Sequence, residues 1–478
     1  MIPPILRDVP IHLTGVKGTG MAALAEILHD EGARLSGSDV AERFFTDTLL
    51  ERIGLTPYVG FDADHLSPDV ALLVYSSAYG EDNQERAEAR RRSIPQYSYT
   101  EMLGALSRAR RSLAVSGVHG KTTTTAMIGT IVASTALPAT VVVGSSVPTF
   151  GGSATLRRGR ELLVAETCEY RRHFLDFSPH VLIVTSVEAD HLDYYRDYED
   201  VLDAFVAFGL SLPSGAPLIY CADDAGAGEV ARRLATRRKD LVLHPYGFSV
   251  PGVGRVSEPI IQDGRQRFSV ALPSGSAEWT VEVPGRHMVL DAAAAILGLV
   301  GLVGEPTVSE RTTWQKALAS FAGTRRRSET VAMVNGIRVM DDYAHHPTAI
   351  RTTLAGFRTF WPGRRIVVDF MSHTYSRTTA LLDEFAHAFS EADVVFLNEI
   401  YASAREQNTA GVSGRELADA VSRYHEDVRF VPDFAAAAAA ISDELREGDI
   451  FVTMGAGDNF RIGPMVVERL QQTSGDRA

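Results

Sequence analysis

Residues 116–125 read SGVHGKTTTT, and this stretch decides how the middle of the chain folds. The apolar run before it, residues 113–115, predicts a short strand, and the residues after the glycines are typical of a helix. Gly117 and Gly120 allow the backbone between them to turn tightly and to point its N–H groups inward. Because the N-terminus of a helix adds positive dipole at the same place, the stretch predicts a loop that cradles phosphate groups.

Two side chains in this stretch suit the chemistry of nucleotides. Lys121 can reach the β- and γ-phosphates, and the hydroxyl group of Thr122 can bind Mg²⁺. The spacing departs from the usual G-x-x-x-x-G-K-[ST] pattern, because Val115 stands where the first glycine belongs. The strand, turn, lysine, hydroxyl and helix still occur together, so we interpret the stretch as a phosphate site rather than an accidental match.

Length, charge and cysteine usage narrow the class of protein. The chain has 478 residues, which is too many for one hydrophobic core, and several domains are expected. The net charge of −13 argues against a nucleic-acid partner and against an anionic-membrane surface. Cys168 and Cys221 lack metal-ligand spacing, so reduced thiols and a cytoplasmic setting are expected. No signal peptide is expected, and the longest apolar stretch, residues 288–303, predicts a buried helix.

The pattern of strands and helices divides the chain into three blocks and predicts an α/β fold. The blocks are residues 1–107, 108–325 and 326–478. Each alternates short apolar runs with helical segments, which is typical of a parallel sheet covered by helices. Within the second block, residues 251–282 alternate apolar and polar side chains and predict antiparallel strands. In the third block, the alanine run 435–440 predicts a packed helix.

Another glycine-rich loop, GVKGTGM, lies between a predicted strand and a predicted helix near the N-terminus. Because it comes before the phosphate loop in the chain, it is called the first glycine loop. Gly15, Gly18 and Gly20 give the order G-x-x-G-x-G, which differs from the G-x-G-x-x-G of dinucleotide-binding proteins. Such a loop can seat a diphosphate over the N-terminus of the helix, and Asp39 could accept a hydrogen bond from a ribose or a base. The alternative is an ordinary tight turn between a strand and a helix.

Acidic residues follow two predicted strands of the second block. Glu166 and Glu169 come after one strand, where carboxylates beside a phosphate loop are placed to bind Mg²⁺, although solvated acids in a turn are the alternative. Residues 188–193, EADHLD, follow the next strand. In this segment His191 could be a second metal ligand or a hydrogen-bond relay, or Asp190 could cap a helix and leave His191 exposed.

Two polar segments of the third block also follow predicted strands. Residues 341–347 read DDYAHHP, and their two carboxylates and two imidazoles are too polar for a core. Residues 372–378 read SHTYSRT, and Arg377 among them is suited to bidentate binding of a carboxylate. Both segments are therefore candidate parts of a ligand site.

Taken in order along the chain, these stretches resemble the Mur ligase family. The motifs that carry the resemblance are GVKGTGM, SGSD, SGVHGKTTTT, AET-x-E, EADHLD, PGRH, FAGTRRR, DDYAHHPT, HTYSRT, SARE and MGAGD. Several of them are long, and together they span nearly the whole chain in one order, which makes coincidence implausible.

The resemblance implies three domains and a reaction. The domains are a Rossmann-like UDP-sugar-binding domain at 1–107, an ATP-binding domain with a P-loop ATPase-like sheet at 108–325, and a Rossmann-like C-terminal ligase domain at 326–478. The implied enzyme uses ATP to join L-alanine to the lactyl carboxylate of UDP-N-acetylmuramate through an acyl phosphate, in cytoplasmic synthesis of peptidoglycan precursors. It would require Mg²⁺, with two ions expected and Mn²⁺ as a substitute, and it would be a monomer or a homodimer.

The resemblance also implies roles for single residues. The UDP-sugar would contact Gly15, Lys17, Gly18, Thr19, Gly20, Ser38 and Asp39. ATP would contact Gly117, Val118, His119, Gly120, Lys121, Thr122, Thr123 and Asp342. The metal ions would bind Thr122, Glu166 and His191. The amino acid or the reacting carboxylate would face Tyr343, His345, His373 and Arg377. The catalytic set would be Lys121, Glu166, His191 and His345, with His191 or His345 taking the proton of the amine.

Five positions depart from the usual family pattern, and one of them is Arg325, which stands where glycine is usual and could supply a compensating charge. Cys168 replaces an aspartate, Met288 and Asp291 stand where asparagines that contact adenine are usual, and Thr374 replaces an arginine expected near the amino acid. Two other interpretations stand beside the alanine-adding enzyme: a recycling ligase that adds a preformed peptide, and a non-catalytic homologue that binds UDP-sugars. The first glycine loop also suggests a nicotinamide oxidoreductase. The order of the glycines in that loop and the presence of the phosphate loop SGVHGKTTTT both disfavour this interpretation.

Overall fold

The computed structural model describes residues 6–192, 194–402 and 411–475. Asp193 and the SARE motif at 403–406 fall outside these ranges. The described chain forms three units in sequence, each built on its own mainly parallel sheet, and a small antiparallel sheet accompanies the second unit. This is the α/β fold that the alternation of strands and helices predicts.

The first unit is a five-stranded parallel sheet in the order β3-β2-β1-β4-β5. Its elements are β1 (Pro10–Thr14), α1 (Thr19–Asp30), β2 (Arg34–Asp39), α2 (Asp47–Arg52), β3 (Tyr58–Val59), β4 (Leu72–Tyr75), α3 (Gln84–Arg91), β5 (Gln96–Ser98) and α4 (Tyr99–Arg108). The strand order reverses between β1 and β4, and ligands bind at such points outside the carboxyl ends of the strands. The GVKGTGM loop lies there, between β1 and α1.

The second unit has a seven-stranded sheet in the order β12-β11-β10-β6-β9-β7-β8, parallel except for the pairing of β7 with β8. Its elements are β6 (Arg111–Ser116), α5 (Lys121–Ala133), β7 (Ala139–Val142), β8 (Thr155–Arg157), β9 (Leu162–Glu166), β10 (Val181–Val184), α6 (Tyr198–Leu210), β11 (Pro217–Cys221), α7 (Ala225–Arg237), β12 (Val242–Tyr246), β13 (Ile260–Gln262), β14 (Arg265–Leu272), β15 (Gly275–Val281), α8 (Arg286–Val303) and α9 (Val308–Ala319). The SGVHGKTTTT stretch connects the central strand β6 to α5, as predicted. Strands β13, β14 and β15 form the antiparallel sheet, which confirms the prediction for residues 251–282.

The third unit is a six-stranded sheet in the order β16-β17-β21-β18-β19-β20, parallel except for the pairing of β16 with β17. Its elements are β16 (Glu329–Val334), β17 (Ile337–Asp342), α10 (Pro347–Phe360), β18 (Ile366–Phe370), α11 (Tyr375–Ala380), α12 (Leu382–Ala386), β19 (Val394–Leu397), α13 (Gly414–Val421), β20 (Val428–Phe430), α14 (Phe434–Glu444), β21 (Ile450–Met454) and α15 (Ile462–Gly475). The segments DDYAHHP and SHTYSRT lie at the carboxyl ends of β17 and β18, and the alanine run lies in α14.

The most apolar helix, α8, is a core element. Among the described helices it is the one whose length and composition would allow it to cross a membrane, but 67% of it is buried inside the protein. Leu113 of β6 and Ile183 of β10 pack against it at Gly298, so it covers the sheet of the second unit. The prediction of a buried helix at residues 288–303 is confirmed.

The first two units share one hydrophobic core. Leu103 of α4 belongs to the same buried cluster as Phe174 and Phe177 of the second unit. Arg157 of β8 adds an ion pair to Asp30 of α1, with 2.8 Å between Nη1 and Oδ1. This packing fixes the first glycine loop relative to the carboxyl edge of the second sheet.

Candidate active site

The loop between β6 and α5 has the geometry of a phosphate cradle. Gly117 has a φ of 138° and Gly120 a φ of 83°, both in the region that favours glycine, and a Cβ atom at either position would overlap neighbouring atoms. Ser186, just after β10, holds the loop: its carbonyl accepts the N–H of Val118 and its hydroxyl accepts the N–H of His119, both at 2.9 Å. The first turn of α5 therefore presents its N–H groups beside a rigid turn.

Lys121 pairs with Glu169, the second acid of the AET-x-E motif. Its Nζ atom donates to both carboxylate oxygens of Glu169, at 2.9 and 3.1 Å, and both side chains are largely buried. Burial disfavours both charges, but their attraction raises the pKa of Lys121 and lowers the pKa of Glu169. The Nε2 atom of His191 lies 3.6 Å from the same carboxylate. Lys121, which is predicted to contact phosphates, and His191, which is predicted to bind a metal ion, thus meet on one acid.

Glu166 ends β9 and directs its carboxylate towards Gly144. Its Oε2 atom is buried and has no hydrogen-bond partner among the described residues. A buried carboxylate oxygen without a donor is costly unless a cation or a water molecule satisfies it. Together with the hydroxyl of Thr122 in the first turn of α5, this oxygen offers the ligand type that Mg²⁺ prefers. The residues present therefore fit the predicted metal ion.

A cavity of about 310 Å³ opens beside the phosphate loop, between the second and third units. Its lining includes His119, Gly120, Thr123, Tyr246, Met288, Asp291, Arg327 and Asp342. Burial raises the pKa of Asp291 to about 8, so its carboxyl group is protonated at neutral pH and offers the cavity both a donor and an acceptor. Burial also raises the pKa of Asp342, which accepts hydrogen bonds from the N–H groups of Ser328 at 2.6 Å and Ala344 at 2.8 Å.

Glu188 joins the phosphate loop to the third unit. Its Oε1 atom contacts Nε2 of His119 and lies 3.4 Å from Nδ1 of His346, and its Oε2 atom accepts a hydrogen bond from the Thr348 hydroxyl at 3.1 Å. Burial would raise the pKa of Glu188, but the two histidines and Thr348 lower it. His346 also caps α10 by accepting the N–H of Thr348 at 3.3 Å. One acid therefore couples the phosphate loop to the start of a helix in the third unit.

Arg377, which is predicted to bind a carboxylate, is paired with Asp190 of the second unit. Its Nη2 and Nε atoms donate to Oδ1 of Asp190 at 2.8 and 3.2 Å. Burial would raise the pKa of Asp190, but the Arg377 charge holds it well below its usual range. Arg377 also contacts His373, whose ring stacks on Tyr401 with 5.6 Å between centroids. A cavity of about 160 Å³ adjoins the Arg377–Asp190 pair, a size that suits a small ligand.

His345 is half-buried and lies between Tyr343 and His373, with 5.2 and 6.2 Å between ring centroids. Its Nδ1 atom lies 2.9 Å from the carbonyl oxygen of Tyr343. Because a carbonyl only accepts, Nδ1 carries the hydrogen and Nε2 carries the lone pair. Burial, aided by the Arg377 charge, lowers the pKa of His345 well below its usual value. The imidazole is therefore neutral at pH 7.

The first glycine loop is held by the end of β2. The N–H groups of Gly15 and Val16 donate to the carbonyl of Ser38 at 2.9 and 3.2 Å. Gly18 precedes α1 in an extended conformation and supplies no side-chain cap. The N–H groups in the first turn of α1 therefore keep the anion-binding capacity of an uncapped helix N-terminus.

Three side chains predicted to contact a sugar nucleotide have partners within the first unit. The Lys17 ammonium donates to two backbone carbonyls of the loop after β2, at 2.8 and 2.9 Å. Asp39 accepts the N–H of Lys17 at 2.6 Å and the hydroxyl of Tyr79 at 3.1 Å. The buried hydroxyl of Ser38 donates to Glu85 at 2.6 Å. Lys17 and Ser38 therefore shape the loop through their side chains.

A further cavity, of about 200 Å³, lies between the first glycine loop and the second unit. Its lining includes Thr19, Gly20, Tyr99, Val142, Glu166, Cys168 and His173. The cavity thus extends from the start of α1 to the carboxylate of Glu166. A ligand held over the first loop can reach the phosphate side of the site through it.

Comparison with known proteins decides the family. Three profiles match the chain: "Mur ligase family, catalytic domain" at residues 10–111, "Mur ligase middle domain" at 115–299, and "Mur ligase, glutamate ligase domain" at 326–457. The chain belongs to the Mur ligase family. It is 48% identical to the UDP-N-acetylmuramate–L-alanine ligase of Treponema pallidum, over 97% of both chains. It is 40% identical to the enzyme of that name from Desulfitobacterium hafniense, over 96% of this chain and 99% of the relative.

A solved structure agrees with this assignment. The UDP-N-acetylmuramate–alanine ligase of Thermotoga maritima has a TM-score of 0.78 and 26% identity, and the match covers 97% of this chain and 99% of that chain. The shared fold extends through all three units of this Mur ligase. The family resemblance inferred from the motifs is therefore confirmed.

Three acids of this Mur ligase carry contacts that the motifs alone do not assign. Glu169 holds Lys121, Glu188 joins the phosphate loop to the third unit, and Asp190 holds Arg377. Each lies within three residues of a predicted metal ligand, inside AET-x-E or EADHLD. That proximity was the one signal available in the sequence, because the partners come from distant parts of the chain.

Proposed function

We propose that this Mur ligase uses ATP to join L-alanine to the lactyl carboxylate of UDP-N-acetylmuramate, the reaction named for its relative from Treponema pallidum. One observation carries the proposal. Lys121 follows Gly120, which lines the cavity of about 310 Å³, and it pairs with Glu169, which follows Cys168 in the lining of the cavity of about 200 Å³. Glu166 lines the second of these cavities, and His191 lies beside the Glu169 carboxylate. A γ-phosphate entering from one cavity and a sugar acid entering from the other would come together there.

The reaction needs two steps because a carboxylate is a poor electrophile. In the first step a carboxylate oxygen attacks the γ-phosphorus of ATP, the bond to ADP breaks, and an acyl phosphate forms. In the second step the amine of L-alanine attacks the acyl carbon, phosphate leaves with the electrons of the C–O bond, and nitrogen loses a proton. The task of the protein is to position the reactants and to neutralise their charges.

The phosphate loop would supply most of the positive charge. Lys121 is already held near the cavity wall by Glu169, so its ammonium can contact an incoming phosphate without a search through rotamers. Glu166 and Thr122 would hold one Mg²⁺ ion and His191 would contribute to a second, with Mn²⁺ as a substitute. When bound, Mg²⁺ would reduce the repulsion between the phosphates and the attacking carboxylate.

The third unit would bind the amino acid. Arg377 would take the α-carboxylate of L-alanine beside the small cavity, with Tyr343 and His373 nearby. We assign the general base to His345, because its neutral imidazole has its lone pair on Nε2. The contacts of Glu188 and Arg377 across the units would hold the site closed and exclude water from the acyl phosphate.

The domain boundaries and the setting follow from the same proposal. Residues 1–107 would bind the UDP-sugar, 108–325 would bind ATP, and 326–478 would complete the ligase site. The enzyme would act in the cytoplasm as a monomer or a homodimer, in peptidoglycan precursor synthesis. Its net charge of −13 supports the absence of nucleic-acid and membrane partners.

Release of inorganic phosphate tests the function. The purified protein would receive ATP, Mg²⁺ and UDP-N-acetylmuramate with each single amino acid or with a preformed tripeptide. We expect release with L-alanine that depends on the sugar nucleotide. Release with the tripeptide alone would indicate a recycling ligase instead. Binding of the sugar nucleotide without consumption of ATP would indicate a non-catalytic homologue.

A further inference from the structure

The core of the third unit contains a carboxyl group that the proposed mechanism does not use. Asp369 is the fourth residue of the central strand β18, and it is 0% exposed. Its Oδ2 atom accepts a hydrogen bond from Nδ2 of Asn398 at 3.1 Å, and its Oδ1 atom accepts one from Nδ2 of Asn459 at 2.9 Å. Burial raises the pKa of Asp369 to about 7, the two amides oppose this rise, and no charged group among the described residues contributes.

The two amides belong to the strands on either side of β18. Asn398 directly follows β19, and Asn459 lies in the turn after β21. Both neighbours pair with β18 in parallel, so all three strands end at the same edge of the sheet. One carboxyl group therefore joins the bases of three loops at the edge where α/β sheets bind their ligands.

These loops carry the proposed amino-acid site, and backbone hydrogen bonds knit them together. The N–H of Tyr401 donates to the carbonyl of Ser372, and the N–H of Thr374 donates to the carbonyl of Tyr401, both at 2.9 Å. The rings of His373 and Tyr401, which belong to the segments joined by these bonds, stack on each other. Arg377 donates to the His373 carbonyl at 3.3 Å. A shift at the end of β18 would therefore displace the guanidinium of Arg377.

Each of the two amides also has a backbone acceptor besides the carboxyl group. Nδ2 of Asn398 also donates to the carbonyl of Val431 at 3.1 Å, and Nδ2 of Asn459 also donates to the carbonyl of Met454 at 3.0 Å. When the carboxyl group is removed, each amide keeps one bonded N–H, but Asn398 loses the acceptor of its other N–H. Burying a carboxyl group in a core is unfavourable, and leaving a buried N–H without its acceptor also costs free energy. The carboxyl group therefore ties the two neighbouring turns to the end of β18.

We propose that Asp369 is a positioning residue for the amino-acid side of the reaction, which sets the relative placement of the three loops and acts through His373 and Arg377. The proposal rests on the proposed function, because it takes the amino-acid site to lie on these loops. It concerns the binding of L-alanine. The residues proposed to contact the sugar nucleotide lie on the first unit, and those proposed to contact ATP lie on the second unit and at the end of β17.

Two substitutions test the proposal. Asp369→Val removes both acceptors with a side chain that suits a buried strand, and Asp369→Asn keeps the shape and one acceptor. We expect Asp369→Val to raise the KM for L-alanine by about tenfold, because small displacements of positioned groups have large effects. The KM values for ATP and UDP-N-acetylmuramate should stay within about twofold. The KM of the Asp369→Asn variant for L-alanine should be much closer to the wild-type value than that of the Asp369→Val variant.

The control variant changes a residue that contacts the other end of β18. Asp393 accepts the N–H of Ile366 at 2.7 Å, at the amino end of β18 and away from the loops. Asp393→Asn should leave the KM for L-alanine unchanged. If Asp369→Val does not fold, Asn398→Ala decides, because it removes one of the two links to the carboxyl group and should raise the same KM.

The outcomes separate the two proposals. A folded Asp369→Val protein with an unchanged KM for L-alanine, or with equal rises in all three KM values, would overturn the positioning role. The same holds for Asn398→Ala if it leaves that KM unchanged. If the wild-type protein forms no product with L-alanine, the proposed function fails, and the positioning role, which rests on it, fails with it. An effect missing from the variants alone overturns only the positioning role.

Discussion

Replacing Asp291 by asparagine should stabilise the second unit, and the gain should grow with pH. Burial raises the pKa of Asp291 in the folded protein to about 8, whereas an aspartate in an unfolded chain has a pKa of about 3.9. At pH 7 the folded protein must therefore take up a proton that the unfolded chain has released. Each tenfold step in proton affinity is worth about 1.4 kcal/mol, so this uptake costs about 4 kcal/mol, which Asp291→Asn removes.

The dependence on pH has a definite sign. Below about pH 4 the carboxyl group is protonated in both states, and the two proteins should be equally stable. Between about pH 4 and pH 8 the unfolded chain loses the proton and the folded protein keeps it. The free energy of unfolding of the wild type should therefore fall, relative to that of Asp291→Asn, by about 1.4 kcal/mol per pH unit. Above about pH 8 the difference should level off.

Urea denaturation followed by tryptophan fluorescence measures this difference. Trp279 and Trp314 are buried in the same cluster as the core of α8, and a Trp361→Phe background removes the signal of the third unit. The control is Thr124→Val, which changes a neighbour of Asp291 without removing the carboxyl group and should keep the wild-type slope. A gain from Asp291→Asn that is absent, or that does not change between pH 5 and pH 8, would show that the folded protein holds Asp291 ionised.

Three further substitutions test the site. Lys121→Ala should reduce ADP formation by about a thousandfold, since it removes the charge that faces the transferred phosphoryl group, and near-normal turnover of the folded variant would reject that role. Glu166→Ala should raise the Mg²⁺ concentration for half-maximal rate by about tenfold or more, and a titration that overlays that of the wild type would exclude this ligand. Glu188→Gln should weaken the contact with His119 and the hydrogen bond with Thr348, so the radius of gyration from small-angle X-ray scattering should increase, and an unchanged radius would exclude Glu188 as a link between the units.

The phosphate loop could be predicted from sequence because its determinants are local. The strand before Gly117, the two glycines and the helix from Lys121 are all contained in residues 111–133, and the structure has each of them. The buried helix α8 follows the same logic, since its continuous apolar composition leaves no polar face for solvent. Periodicity of side chains likewise predicts the antiparallel strands β14 and β15.

The partners of the charged groups could not be predicted, because they depend on strand order. Glu169 reaches Lys121 across 48 positions of the chain only because β9 lies beside β6 in the sheet. Asp190 and Arg377 are 187 positions apart and belong to different units. The alternative interpretation of EADHLD, in which Asp190 caps a helix, is wrong. The next helix begins at residue 198 and is capped by Asp197.

The direction of a side chain is a second limit. The resemblance places Lys17 and Ser38 at the sugar nucleotide, and a lysine in a glycine loop invites that interpretation. In the structure the Lys17 ammonium bonds the backbone of its own unit, and the Ser38 hydroxyl faces the buried Glu85. The contact of Lys17 and Ser38 with a sugar nucleotide stays a prediction, whereas their partners within the unit depend on packing that a local motif does not encode.

Transfer of oxygen from the sugar acid to phosphate tests the central claim most directly, which is that ATP activates the lactyl carboxylate. UDP-N-acetylmuramate labelled with ¹⁸O in both carboxylate oxygens would be converted with ATP, Mg²⁺ and L-alanine, and the released phosphate examined by mass spectrometry. We expect one labelled oxygen in each phosphate and the other in the new amide, because the C–O bond breaks when the amine attacks. Unlabelled phosphate accompanying amide formation would contradict the acyl phosphate and the mechanism built on it.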